Sequence, residues 1–122
     1  MSESDNDRSI DVIVYGATGF TGQLVAAYLL REYGVDRDVR WAIAGRNAAK
    51  LEQVRDDLGA DAAALEMLVA DSHDKNAMAA LARKTRVVLS TVGPYALYGS
   101  ELVAACVDAG TDYCDLAGEV QW

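Results

Sequence analysis

The stretch Gly16-Ala17-Thr18-Gly19-Phe20-Thr21-Gly22 constrains this chain more than any other part of it. It follows directly on Ile10-Asp11-Val12-Ile13-Val14-Tyr15, a short β-branched run of the kind buried on both faces of a parallel sheet. Glycines at every third position between a strand and a helix exceed what a simple turn requires. Gly16 allows a tight turn off the strand, Gly19 lets the backbone approach a pyrophosphate, and Gly22 lets the next helix pack closely on the sheet. Unpaired N–H groups in the first helical turn, aided by the helix dipole, then stabilise phosphate charge. The loop from Gly16 to Gly22 therefore predicts a dinucleotide phosphate site.

Beyond the loop, strand and helix patterns alternate. A helix is expected from Thr21 to Tyr33, closed by Gly34. Arg40 to Ala44 reads as a second strand, and Asn47 as the cap of a helix carrying Leu51, Val54 and Leu58 at helical spacing before Gly59. Leu65 to Ala70 is a third strand, Asp71 to His73 a turn, and Met78, Leu81 and Ala82 mark another helix. Arg86 to Ser90 is a fourth strand. A helix from Ser100 to Ala109, with Leu102, Ala105, Cys106 and Ala109 on one face, leads into a fifth strand, Thr111 to Asp115. This alternation predicts an α/β fold, a doubly wound parallel sheet of Rossmann type with strand order 3-2-1-4-5.

The 122 residues are expected to form one dinucleotide-binding domain, with residues 1–9 as a frayed polar tail. With 52% hydrophobic residues there is enough apolar material for a core, yet no run reaches the length of a membrane-spanning helix. The tail is too polar for the apolar segment of a signal peptide, so the expected location is the cytoplasm. A net charge of −8 argues against general nucleic-acid binding. Cys106 and Cys114 form no metal-ligand motif and read as free, buried, small apolar residues. His73 has no second ligand or nucleophile beside it, and no metal site is expected. The fifth strand leaves an edge that would invite pairing between copies, as in a homo-oligomer.

The end of the second strand bears on which nicotinamide cofactor fits. An Asp or Glu there binds the ribose hydroxyls of NAD, whereas an arginine accommodates the 2′-phosphate of NADP. This chain offers Gly45-Arg46-Asn47, with no acid. Arg46 can grip phosphate through a planar fork of donors, and Asn47 either adds a donor or caps the next helix. NADP(H) is therefore preferred. Asp71, at the end of the third strand, is placed to border the adenine or to shape the turn. Across the switch point, Thr91, Val92, Gly93, Pro94 and Tyr95 form the loop expected to meet the nicotinamide ribose, and Tyr95 or Tyr98 could close over the ring.

Several of these segments together resemble the N-terminal domain of the saccharopine dehydrogenase-like oxidoreductases. The likeness is carried by Val14 to Gly22, Ala44-Gly45-Arg46, Thr91 to Tyr95 with Tyr98-Gly99, and Val103-Ala104-Ala105-Cys106. Gly110 to Tyr113 and Asp115 to Glu119 complete it. Within that group the chain is most similar to the trans-acting enoyl reductases of mycobacterial glycolipid synthesis. The resemblance implies a longer NADP-dependent parent that moves hydride to a small-molecule or lipid-linked substrate, with a substrate domain absent from this stretch. It supplies no catalytic acid or base. A second reading is a redox-sensing regulator of the atypical short-chain dehydrogenase type, which binds NADP without turnover.

Overall fold

In the computed structural model, which describes residues 8–91 and 100–115, the β-branched run becomes the central strand β1 (Ile10–Tyr15). Helix α1 (Phe20–Tyr33) leads to β2 (Trp41–Gly45), and α2 (Ala48–Leu58) with a 3-10 turn at Ala60–Ala62 leads to β3 (Glu66–Val69). Helix α3 (Lys75–Lys84) runs straight into β4 (Thr85–Ser90), and α4 (Ser100–Ala109) precedes β5 (Asp112–Asp115). The sheet has the order β3-β2-β1-β4-β5, with every pair parallel, as the alternation predicts.

The register explains the burial of β1. Val14 sits between Ile43 and Leu89, and Tyr15 between Ala44 and Ser90, so the strand has a neighbour on each side and helices on each face. On one face Val14, Ala17, Ala26, Ile43, Leu51 and Val54 join a single apolar cluster that α1 and α2 close. On the other face Ile13, Tyr15, Ala44, Met78, Leu81, Val88 and Leu102 form a second cluster beneath α3 and α4. Chain progression reverses at β1, since β2 lies on one side and β4 on the other. The carboxyl ends of β1 and β4 therefore open a crevice, the usual ligand site of such sheets.

Element boundaries differ from expectation by about one residue, because pairing rather than propensity ends a strand. Leu65 and Ala70 flank β3, Arg40 precedes β2, and Thr85 joins β4. Two corrections are larger. The frayed tail expected over residues 1–9 fails at Arg8, which is only 8% exposed, and residues 1–7 lie outside the described residues. Its guanidinium donates to the carbonyls of Ala82, Thr85 and Ala109 and to the Thr111 hydroxyl. Those carbonyls sit at the carboxyl ends of α3 and α4 and at the start of β4, where helix dipoles favour a cation. The Thr111 hydroxyl in turn donates to Ala82 at 2.6 Å.

The second correction concerns the cysteines. Cys106 is buried as expected, but Cys114 is exposed on strand β5, because that position faces outward at the sheet edge. Burial pushes the Cys106 thiol up to about 11 from its ordinary 9.0, with Arg8 opposing the shift. Iodoacetamide at pH 8 should thus label Cys114 before Cys106 in a mass-spectrometric time course; early labelling of Cys106 would contradict its burial. The same shift contributes stability that is complete below pH 9 and is lost as pH rises through about 11, because the unfolded thiol ionises first.

Candidate cofactor site

The loop leaves β1 through Gly16, whose φ of +91° is open to glycine and strained for other residues. The amides of Gly16 and Ala17 donate to the Ala44 carbonyl at 2.9 and 3.3 Å, which fastens the loop to the end of β2. Gly19 N–H then donates to Gly16 O at 3.1 Å and closes the turn, while Gln23 Nε2 braces it from behind through the Thr18 carbonyl at 2.9 Å. Ala17 is fully buried and Thr18 half-buried, whereas Gly19, Phe20 and Thr21 face outward. Helix α1 begins at Phe20, one residue earlier than expected.

The glycines differ in what they do for the chain itself. A Cβ on Gly22 would lie 2.2 Å from Gly16 O and 2.7 Å from Ala17 Cα, so close packing of helix on loop requires glycine. A Cβ on Gly19 would meet Gly16 O at 3.6 Å, an ordinary contact, and its φ of −80° suits any residue. Nothing inside the described chain demands glycine at 19. Room for a group pressed on the backbone from outside is what a pyrophosphate needs there.

The start of α1 also suits an anion. Helix α2 is capped by Asn47 Oδ1, which accepts from Lys50 N at 3.0 Å, and α3 by Asp74 Oδ1, which accepts from Ala77 N at 3.0 Å. Helix α1 has neither a side-chain cap nor an acidic residue in its first turn. Its first helical bond runs from Gln23 N to Gly19 O, so the amides of Phe20, Thr21 and Gly22 precede the ladder.

Arg46 and Asn47 follow β2 on the surface beside this loop. No described carboxylate forms an ion pair with Arg46. Asn47 is engaged as a helix cap through its side-chain oxygen. Asp71 starts the turn after β3, where its Oδ1 accepts from His73 N at 2.9 Å; the cap of α3 is Asp74, three residues on. Thr91 directly follows β4 and ties the crevice together. Its amide donates to Tyr15 O at 2.9 Å, and its hydroxyl lies 3.0 Å from Gly16 O. Thus Gly16 to Gly22, Arg46, Asn47, Asp71 and Thr91 all lie at the carboxyl ends of strands. Val92, Gly93, Pro94 and Tyr95, with Tyr98, lie outside the described residues.

One residue of this region escapes sequence reading. Tyr15 ends β1, is 3% exposed, and sends its hydroxyl to the Ala70 carbonyl at 2.7 Å. Burial pushes its phenol above 10.0 and Asp71 adds to the rise, while Ser72 and Arg46 oppose it. Its chemistry is hidden in a run that reads simply as core strand. Among the described residues no cluster of His, Cys, Asp or Glu could hold a metal ion. No described helix is long and apolar enough to cross a membrane.

Fold and loop together define a Rossmann-type α/β domain. The chain belongs to the family described as the saccharopine dehydrogenase NADP-binding domain, whose model matches residues 12–121. The trans-acting enoyl reductase of Mycobacterium tuberculosis (strain H37Rv) is 44% identical over 119 residues, covering 98% of this chain and 28% of that protein. A second relative from the same strain reaches 48% over 112 residues, 92% of this chain and 26% of its own length. The chain thus spans about a quarter of the curated relatives it matches. Among solved structures, apo saccharopine dehydrogenase (L-Glu forming) from Saccharomyces cerevisiae superposes with a TM-score of 0.73 at 20% identity, covering 91% of this chain and 22% of that one. The triphenylmethane reductase of Citrobacter sp., solved with NADP(H), gives 0.70 at 22% identity, covering 86% and 36%. At such identities these structures speak for the fold alone.

Proposed function

We propose that this chain is the cofactor-holding part of an NADP(H)-dependent reductase, with the glycine loop on the pyrophosphate and Arg46 on the 2′-phosphate. The observation that carries the reading is the uncapped start of α1 beneath Gly19, beside an arginine where NAD-specific sites place an acid. Bound there, NADPH supplies hydride. The amides of Phe20, Thr21 and Gly22 would hold the diphosphate charge, Arg46 would fork onto the extra phosphate, and the Asp71 turn would border the adenine. Thr91 keeps the β4 end in register with the loop, and Val92 to Tyr95 are further candidates for contact with the nicotinamide end of the cofactor.

Membership of an NADP-binding family and relatives named enoyl reductases support hydride transfer to an enoyl-type bond of a small-molecule or lipid-linked substrate. The substrate would be held mainly by polypeptide outside these 122 residues, as the greater length of the relatives suggests. Thermal denaturation tests the cofactor assignment. NADPH should raise the melting temperature more than NADH at equal concentration, and Arg46→Ala should erase the difference. Equal shifts from the two cofactors in the unmodified chain would defeat it.

A further inference from the structure

We infer that Tyr15 is a positioning residue that sets the cofactor preference of this site, by fixing the Asp71 turn and the Arg46 end of β2 relative to the glycine loop. The inference rests on the NADP(H) reading above. Tyr15 immediately precedes Gly16, so its backbone is the base of the phosphate loop. Its carbonyl accepts the Thr91 amide at 2.9 Å, which secures that base to β4. Its side chain goes the other way. Ala44, its register partner on β2, is small and belongs to the same buried cluster, leaving room for the ring to pass across β2 toward β3.

There the phenol meets the first residues after β3. The hydroxyl donates to Ala70 O at 2.7 Å, and the Ala70 amide donates to Gly45 O at 2.8 Å. One residue, Ala70, is therefore gripped at its carbonyl by the residue before Gly16 and at its amide by the residue before Arg46. Asp71 follows directly, and Ser72, itself buried, approaches the phenol oxygen through its hydroxyl and amide. A single buried side chain thus links three loops: phosphate, 2′-phosphate and adenine. None of its bonds touches the outer surface where cofactor would lie. Tyr15 acts through the groups it holds.

The test compares dissociation constants of NADPH and NADH for the 122-residue chain, measured by titration beside thermal melts. In Tyr15→Phe the ring still fills the core while the bond to Ala70 is lost. NADPH binding should weaken about tenfold and NADH binding much less, so that the preference narrows. Ser72→Ala removes a partner on the turn and leaves the core intact; it should narrow the preference in the same direction, and decides the matter if Tyr15→Phe does not fold. A folded variant with an unchanged NADPH-to-NADH ratio would overturn the positioning role alone. Equal affinity for both cofactors in the unmodified chain would instead overturn the NADP(H) reading, and the inference with it.

Discussion

Gly22→Ala should cost the fold dearly, whereas Gly19→Ala should cost it little and silence the cofactor response. At position 22 the new methyl would sit 2.2 Å from Gly16 O and 2.7 Å from Ala17 Cα, both backbone atoms that cannot swing aside. Either α1 lifts from the sheet or the loop is pushed out of its bonds to Ala44. Overpacking of this kind costs about 3 kcal/mol or more, on the order of 10–20 °C in melting temperature for a domain of this size. At position 19 the methyl meets a single backbone oxygen at 3.6 Å, and φ is already ordinary. Alanine is a poorer helix cap than glycine, so a loss of under about 1 kcal/mol is expected. The same methyl would stand where phosphate oxygens must approach the amides, so the NADPH-induced rise in melting temperature should vanish. A Gly19→Ala chain that retained a full NADPH shift would remove the pyrophosphate from this loop.

Arg8→Ala should be the most damaging change outside the loop. The guanidinium serves the carbonyls of Ala82, Thr85 and Ala109 at once, and these are buried or partly buried. Thr111 can still satisfy Ala82 at 2.6 Å and, more weakly, Thr85 at 3.3 Å, but Ala109 loses its donor and a cavity opens between helix ends. Unsatisfied acceptors cost about 1–3 kcal/mol each, so a total of about 3–4 kcal/mol is expected in chemical denaturation. Arg8→Lys should recover only part, since one ammonium cannot reproduce a planar fork that bonds through both terminal nitrogens. A denaturation midpoint unchanged by Arg8→Ala would show that these bonds add nothing net.

The contrast between these two sites shows what a sequence can reveal. The glycine loop was legible because its requirements are local: a positive φ at Gly16, a helix start, and steric room at Gly22 all fall within seven residues. The strand order followed from alternation and crossover handedness, neither of which depends on side-chain detail. Arg46 and Asp71 could be placed because strand ends converge in any doubly wound sheet. Arg8 could not, for its polar neighbours look like a tail and its partners lie 74 to 103 positions away. Tyr15 was concealed differently. An aromatic residue ending a strand reads as core, and only the small Ala44 opposite it on β2 shows that its hydroxyl has somewhere to go. The outward turn of Cys114 was also invisible, because a four-residue edge strand carries too little pattern to set its facing.

The Arg8 contacts also impose an order of events on synthesis. Arg8 is synthesised before Thr85, Ala109 and Thr111, so its bonds to them wait until those residues have been made. At translation rates of about 5–20 residues per second, that delay is on the order of 5–20 s. During it, β1 can pair with β2 while the lower end of the β4 side stays open. The pairing of β5 with β4 is therefore tied to closure of the Arg8 bonds, so the residue two before β1 and the residue just before β5 settle as one event.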